Sequence, residues 1–421
     1  MTSRASQAVP GGAEAGARPV HGHVDCRSEG AGSGQSMRIA YVTETYPPEV
    51  NGVALTAARA VAYLRQRGHT VDLIRPHQAH ESTGSRFDEW RTSGCPLPMY
   101  ADLRFGLATA AALKRRFQAT SAELVHVATP GPLAWQALRA ARAIGLPSSA
   151  EFRTNFHQYC RYYHLGLVAP LALRVLRRLH NAVDRTFVPT RALERELRAA
   201  GFERLAVVGR GVDTARFAPA HRSLELRRDW GVPDGAPLVL YVGRVAPEKN
   251  VALALRAFEA ARAESPTAHF VVVGDGPQRA ALEPAHPDVR FVGARHGELL
   301  AACYASADLF VFPSLTDTFG NVTLEALASG VPVLAFDVAA AAEHVVDGVS
   351  GRLVPAGDDV AFAAALRELA LAPERLDAMR GPAVEAARRA TWDEVLARFE
   401  AQLQDTVHAH EAPLETAAVV A

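Results

Sequence analysis

Phe310-Val-Phe-Pro-Ser-Leu-Thr-Asp317-Thr-Phe-Gly320-Asn-Val-Thr-Leu-Glu325-Ala-Leu-Ala-Ser-Gly330-Val-Pro-Val-Leu-Ala-Phe336 decides how this chain folds. Leu309 to Phe312 is a β-type apolar run, a polar turn with Gly320 follows, and the helix formers Val322 to Ala328 are closed by Gly330 and Pro332. The order is strand, loop, short helix, strand. In an open parallel sheet such a loop lies at the carboxyl ends of the strands, where ligands bind. The backbone amides around Phe319, Gly320 and Asn321 open the helix, and its positive dipole end suits a phosphate. Two carboxylates frame this mouth, Asp317 outside the helix and Glu325 inside it. At about 1.5 Å per residue Glu325 lies roughly 6 Å along the axis from Asn321, so one ligand can touch both acids. Carboxylates accept hydrogen bonds from sugar hydroxyls.

The stretch resembles the Glu-x7-Glu signature of the retaining GT-B glycosyltransferases (family 4, group 1), with Asp317 in place of the first Glu. Its Thr-Asp317-Thr-Phe-Gly320 form is similar to the branch that holds GDP-mannose-dependent α-mannosyltransferases and sulfoquinovosyltransferases. The resemblance implies an α/β fold of two Rossmann-like parallel-sheet domains facing a cleft, with a C-terminal helix crossing back to the first domain. It implies a hexosyl transfer, mannosyl favoured, from GDP-mannose or from a UDP-sugar as runner-up, to a saccharide or lipid acceptor. It implies no cofactor.

Composition sets the outer limits. A chain of 421 residues with 49% hydrophobic residues can fill two α/β cores. Lys plus Arg equals Asp plus Glu at 45 each, so nothing points to a nucleic-acid partner. Cys26, Cys95, Cys160 and Cys303 are scattered without a Cys-x-x-Cys pair or metal spacing, as in a cytoplasmic protein with reduced thiols. No Asp-x-Asp triplet occurs, which argues against a metal-dependent GT-A enzyme, and no metal site is expected. The apolar run Leu165 to Leu173 is too short to cross a bilayer. With the arginines at 161, 174, 177, 178 and 185 around it, the segment reads either as a peripheral membrane face or as an ordinary solvated helix.

Four regions follow along the chain. Residues 1–36 are rich in Gly, Ala and Ser without periodicity, and read as a disordered tail ahead of Met37. Residues 37–212 alternate strand and helix signals, among them a helix from about Phe105 to Phe117. Asn51-Gly52 precedes a helix and matches the phosphate-facing loop that the resemblance implies. Close relatives carry a His where this chain has Arg153, and a guanidinium cannot accept a hydrogen bond. Arg153 then acts electrostatically, or His157 is the working imidazole, or the protein is a catalytically impaired nucleotide-sugar binder. Gly209-Arg-Gly211-Val-Asp213 resembles the interdomain linker and places the domain boundary at 212/213.

Residues 213–390 form the donor-side domain in this reading. Gly243-Arg244 through Lys249 follows a strand, where two cations can grip a diphosphate with no protein acid as partner. Gly274-Asp-Gly276 is a tight strand-to-helix turn, but Arg279 stands where a dinucleotide fingerprint needs its third glycine, which argues against a dehydrogenase. The resemblance puts the nucleobase beside Val292 and Arg295, and a closing hairpin at Gly348-x-x-Gly351. Residues 391–421 supply the crossover helix.

Overall fold

The computed structural model describes residues 35–49, 51–78, 81–86, 88–97, 100–153 and 169–419. The first thirty-four residues of the expected tail, and His157, lie outside the described residues. From Ser36 onward the chain forms one compact unit.

The first sheet is built from Arg38–Val42 (β1), Thr70–Pro76 (β2), Gly84–Ser85 (β3), Glu89–Leu97 (β4), Tyr100–Leu107 (β5), Leu124–Val127 (β6), Ser148–Glu151 (β7), Arg185–Val188 (β8) and Leu205–Val207 (β9). Its order is β3-β4-β2-β1-β6-β7-β8-β9, with β5 on β4. Only β3 and β5 run antiparallel to their neighbours. Leu238–Val242 (β10), His269–Val273 (β11), Val289–Gly293 (β12), Leu309–Phe312 (β13), Val333–Phe336 (β14) and Gly351–Val354 (β15) form the second sheet. Its order, β12-β11-β10-β13-β14-β15, is parallel throughout. That is the doubly wound order 3-2-1-4-5-6, which reverses direction between β10 and β13. The first sheet reverses at the corresponding place, between β1 and β6.

The strands are apolar on both faces because helices cover both. Along β1, Ala40 and Val42 join a core with Leu133 and Ala137 of the Pro132–Arg142 helix. Ile39 and Tyr41 point the other way, into a core with Ala57 and Val61 of the Gly52–Gln66 helix. This is the period of two expected of a buried strand.

The last helix, Trp392–Val419, lays Leu396, Phe399 and Leu403 into that same first-lobe core. Glu400 on it pairs with His69 at 2.9 Å and with Arg67 at 3.1 Å. The arginine of position 59 stacks on Trp392 at 4.9 Å. The last helix thus packs on the first lobe.

Two local expectations are corrected. The helix expected from Phe105 begins only at Ala110, capped by Thr109 Oγ1 on the Ala112 amide, because Arg104 to Leu107 pair with β4. The expected closing hairpin at Gly351 is instead the parallel edge strand β15. A side chain at Gly351 would meet the Val333 carbonyl oxygen at 2.2 Å, so only glycine lets these strands approach.

Candidate functional site

Ligands of doubly wound sheets settle where the strand order reverses. In the second lobe the loops there are Gly243–Asn250 after β10 and Pro313–Gly320 after β13. They are sewn together by polar contacts. Ser314 Oγ and Thr316 Oγ1 both donate to the carbonyl of buried Glu248, at 3.4 and 3.0 Å. Lys249 Nζ meets Asp317 Oδ1 at 2.6 Å, with both side chains mostly buried. Arg244 donates to the Glu248 carboxylate at 3.2 Å and leaves its own side chain half exposed.

These pairs correct one expectation. Both cations have a protein acid as partner, because the two loops fold against each other and a lysine buried there needs a counter-charge. Lys249 and Asp317 are 68 residues apart in sequence, and only the sheet order brings them together.

The mouth of the Asn321–Ala328 helix has no side-chain cap. Its N-cap is Gly320 at φ +83°, a left-handed conformation that glycine adopts without strain. Phe319 is buried, edge-on to His344 at 5.8 Å, and its carbonyl accepts from Ala340 at 2.7 Å. Only its backbone belongs to the mouth. Asp317 Oδ2 and Asn321 Oδ1 are buried without a hydrogen-bond partner among the described residues. Buried acceptors of this kind call for a donor. One turn further in, Glu325 Oε2 accepts from Tyr304 at 2.9 Å, and burial pushes the carboxyl above the usual range.

Glycines Gly243, Gly274 and Gly276 serve close backbone approach. A side chain at Gly274 would meet the Gly243 carbonyl at 1.9 Å, and one at Gly276 the Val245 carbonyl at 2.3 Å. Tyr241 closes the space above Gly243, donating to the Arg244 carbonyl at 3.0 Å. Arg279, at the missing third glycine, is held by Asp275 at 3.1 Å and Glu283 at 2.9 Å. Val292 packs on the second-lobe core, and Arg295 lies exposed at the end of β12.

The first lobe looks different. Asn51 caps its own helix, its Oδ1 accepting from Val53 at 3.0 Å and Ala54 at 2.8 Å. The cap thus satisfies the first two amides after Gly52 in the loop expected to face a phosphate, and Gly52 itself stands exposed. At the other first-lobe mouth, Glu44 inserts its carboxylate, accepting from Leu133 at 3.0 Å and from Gly106. A side chain at Gly131 would strike Glu44 Oε1 at 2.1 Å. Burial raises this carboxyl to about 7 against the pull of its amide donors.

Arg153 follows β7 and is buried against Glu151, whose other contact is His126 at 3.0 Å. Burial raises the Glu151 carboxyl, but Arg153 and His126 outweigh it and hold it at about 2. One residue beside them has no place among the expected site residues. Arg210, in the linker, is half-buried and donates to the Arg153 carbonyl at 3.5 Å. Burial and the Arg153 charge push its guanidinium down to about 10, while Glu151 and Asp317 pull upward. The arginine between two glycines was the available signal. Among the described residues no cluster of His, Cys, Asp and Glu could hold a metal ion.

With this geometry in place, the likeness to known proteins is specific. Residues 236–371 match the model of the group 1 glycosyl transferases, and residues 50–216 that of glycosyltransferase family 4. The chain is 37% identical to a GDP-mannose-dependent alpha-mannosyltransferase of Mycobacterium tuberculosis, covering 76% of this chain and 85% of that one. It is 35% identical to a protein of the same name from Mycolicibacterium smegmatis, over 87% of this chain and 98% of the other. Among solved structures, a sucrose-phosphate synthase from Thermosynechococcus elongatus superposes with a TM-score of 0.68 at 20% identity, over 89% of this chain and 99% of that one. That likeness concerns the fold alone.

Proposed function

The chain belongs to glycosyltransferase family 4, is built as a GT-B glycosyltransferase, and on that premise we propose that it moves a mannosyl group from GDP-mannose to a saccharide or lipid acceptor with retention at the anomeric carbon. The observation that carries this reading is the join of the two second-lobe loops, where Lys249 meets Asp317 beside an uncapped helix mouth. The names of two relatives, matched over 85% and 98% of their length, support the donor.

In this reading the donor diphosphate lies at the Gly320–Asn321 amides, with Arg244 and Lys249 as its cations. Glu325 takes the ribose hydroxyls with the oxygen that Tyr304 leaves open. Asp317 Oδ2 and Asn321 Oδ1 accept from sugar hydroxyls, which supplies the donor they need. The nucleobase lies towards Val292 and Arg295. The acceptor hydroxyl attacks on the face the diphosphate leaves, its proton passes to a departing phosphate oxygen, and no protein nucleophile is required. The protein's contribution is to stabilise negative charge as it grows on the diphosphate. Arg153, held by Glu151, presents its guanidinium from the first lobe with its charge offset by that carboxylate.

Membrane contact fits the same reading. Arg174, Arg177 and Arg178 on the Ala169–His180 helix flank a groove with Trp135 and Arg142, while Leu171 and Val175 of that helix stand exposed. No helix among the described residues is long and apolar enough to cross a membrane. Cosedimentation with anionic but not neutral vesicles supports a peripheral face, and equal binding to both sinks it.

Thermal denaturation with GDP and with UDP at equal concentration tests the donor. Stabilisation follows ligand concentration over the dissociation constant. A rise with GDP, followed by release of GDP from GDP-mannose in the presence of acceptor, is the expected result. A response to UDP alone overturns the guanine assignment.

A further inference from the structure

We propose that Arg210 is a third cation on the donor diphosphate, reaching it from the linker while Arg244 and Lys249 reach it from the second lobe. The proposal rests on the donor reading above and adds a residue to it. Among the described residues the Arg210 guanidinium has a single hydrogen bond, the 3.5 Å contact to the Arg153 carbonyl, and no ion pair. It offers five N–H donors and does not lose its charge. A half-buried cation in that state is costly unless an anion comes to it.

Its backbone is pinned close to the donor loop. Gly209 on one side lies against the Phe319 ring, to which a side chain there would come within 3.9 Å. Gly211 on the other lies on the Thr391–Trp392 backbone, where a side chain would meet Trp392 Cα at 2.5 Å. Glu151 of the first lobe and Asp317 of the second are near enough for their charges to act on Arg210. Each of those carboxylates has a nearer cation, Arg153 and Lys249 respectively. Neither is a contact partner for Arg210.

The anion that completes this arrangement sits between Arg210 and the Asp317–Asn321 mouth, where the leaving diphosphate lies in the reading above. A planar guanidinium fork can grip two phosphate oxygens at once. Because charge grows on those oxygens during transfer, Arg210 contributes to turnover as well as to binding.

The test is calorimetric titration of wild type, Arg210→Lys and Arg210→Met with GDP, GMP and inorganic pyrophosphate, alongside melting of the unliganded proteins. The expected result is a GDP-to-GMP affinity ratio that falls about tenfold in Arg210→Met, the size of one charge-assisted hydrogen bond. Pyrophosphate binding weakens in parallel, Arg210→Lys falls between, and the unliganded melting temperature stays near wild type. A wild-type ratio in Arg210→Met overturns the proposal. A lowered unliganded melting temperature with an unchanged ratio also overturns it, and assigns Arg210 to the protein's own carboxylates. If UDP binds in place of GDP, the donor reading fails and the UDP-to-UMP ratio judges Arg210 in the same way. If neither nucleotide binds, pyrophosphate alone decides. Weaker pyrophosphate binding by Arg210→Met keeps the anion site, and no binding by wild type removes it.

Discussion

The two lobes share a topology but treat their helix mouths in opposite ways. In each sheet two helices open beside the strand-order reversal, after β1 and β6 in the first lobe and after β10 and β13 in the second. Both first-lobe mouths are filled by the protein itself, one by Asn51 and the other by Glu44. Neither second-lobe mouth has a side-chain cap, at Asn250 or at Gly320. Around the second pair stand Arg244 and Lys249 instead. A helix N-terminus is attractive to anions only while its amides are unclaimed. The first lobe uses that attraction for its own stability, and the second leaves it unclaimed by a side chain. This is the physical reason for assigning the diphosphate to the second lobe although both lobes carry the strand-loop-helix pattern.

The largest effect that would break this contrast is at Lys249. Replacing it with methionine is expected to lower turnover by about two to three decades, the usual cost of losing one preorganised donor to developing charge. Because Asp317 then loses its partner, the double variant Lys249→Met with Asp317→Asn separates the two contributions. It should recover stability without recovering turnover. Near-wild-type rates in a folded Lys249→Met protein would move the diphosphate elsewhere.

Glu44 gives the next largest effect, read in pH. Its carboxyl titrates near 7 in the fold against about 4.3 in an unfolded chain, so the fold binds this proton more tightly. The stability it contributes is therefore fully present below the unfolded value and fades as pH rises through about 7. Between pH 5 and pH 8 the stability advantage of wild type over Glu44→Gln should shrink by up to about 3 kcal/mol, measured by urea melts. A gap that stays constant would mean that the helix amides keep Glu44 ionised throughout.

Asn51 gives the smallest effect and the sharpest comparison. Asn51→Ala removes a cap worth about 1 kcal/mol and should lower the melting temperature accordingly. Donor affinity should not change. A variant that stays stable yet loses nucleotide binding would return the phosphate to the first lobe.

Much of the second lobe's loop structure is legible in sequence, because the residues proposed to carry its chemistry lie close together on single loops. Arg244 to Lys249 and Asp317 to Glu325 each lie on one strand-to-helix unit, and the family likeness fixed their register. What escaped reading depends on contacts across the chain. Asn51 looked like part of a phosphate loop because a capping side chain and an open mouth share the same Asn-Gly signal. Glu44 gave no signal, since its role arises only when Gly106 and Leu133 come from far along the chain to meet it. Arg210 lies in the linker segment, and only three dimensions show that no acid among the described residues pairs with it. The β4–β5 ladder is not legible in sequence because Arg-Phe-Gly-Leu before a helical run reads as the start of that helix.

Backbone hydrogen exchange with and without GDP tests the contrast between the lobes most directly. GDP is expected to slow exchange at Gly320–Leu324 and across Gly243–Asn250, while Val53 and Ala54, already bonded to Asn51, exchange at the same rate in both states. Protection appearing at Val53 and Ala54 with none at Gly320–Leu324 would contradict it.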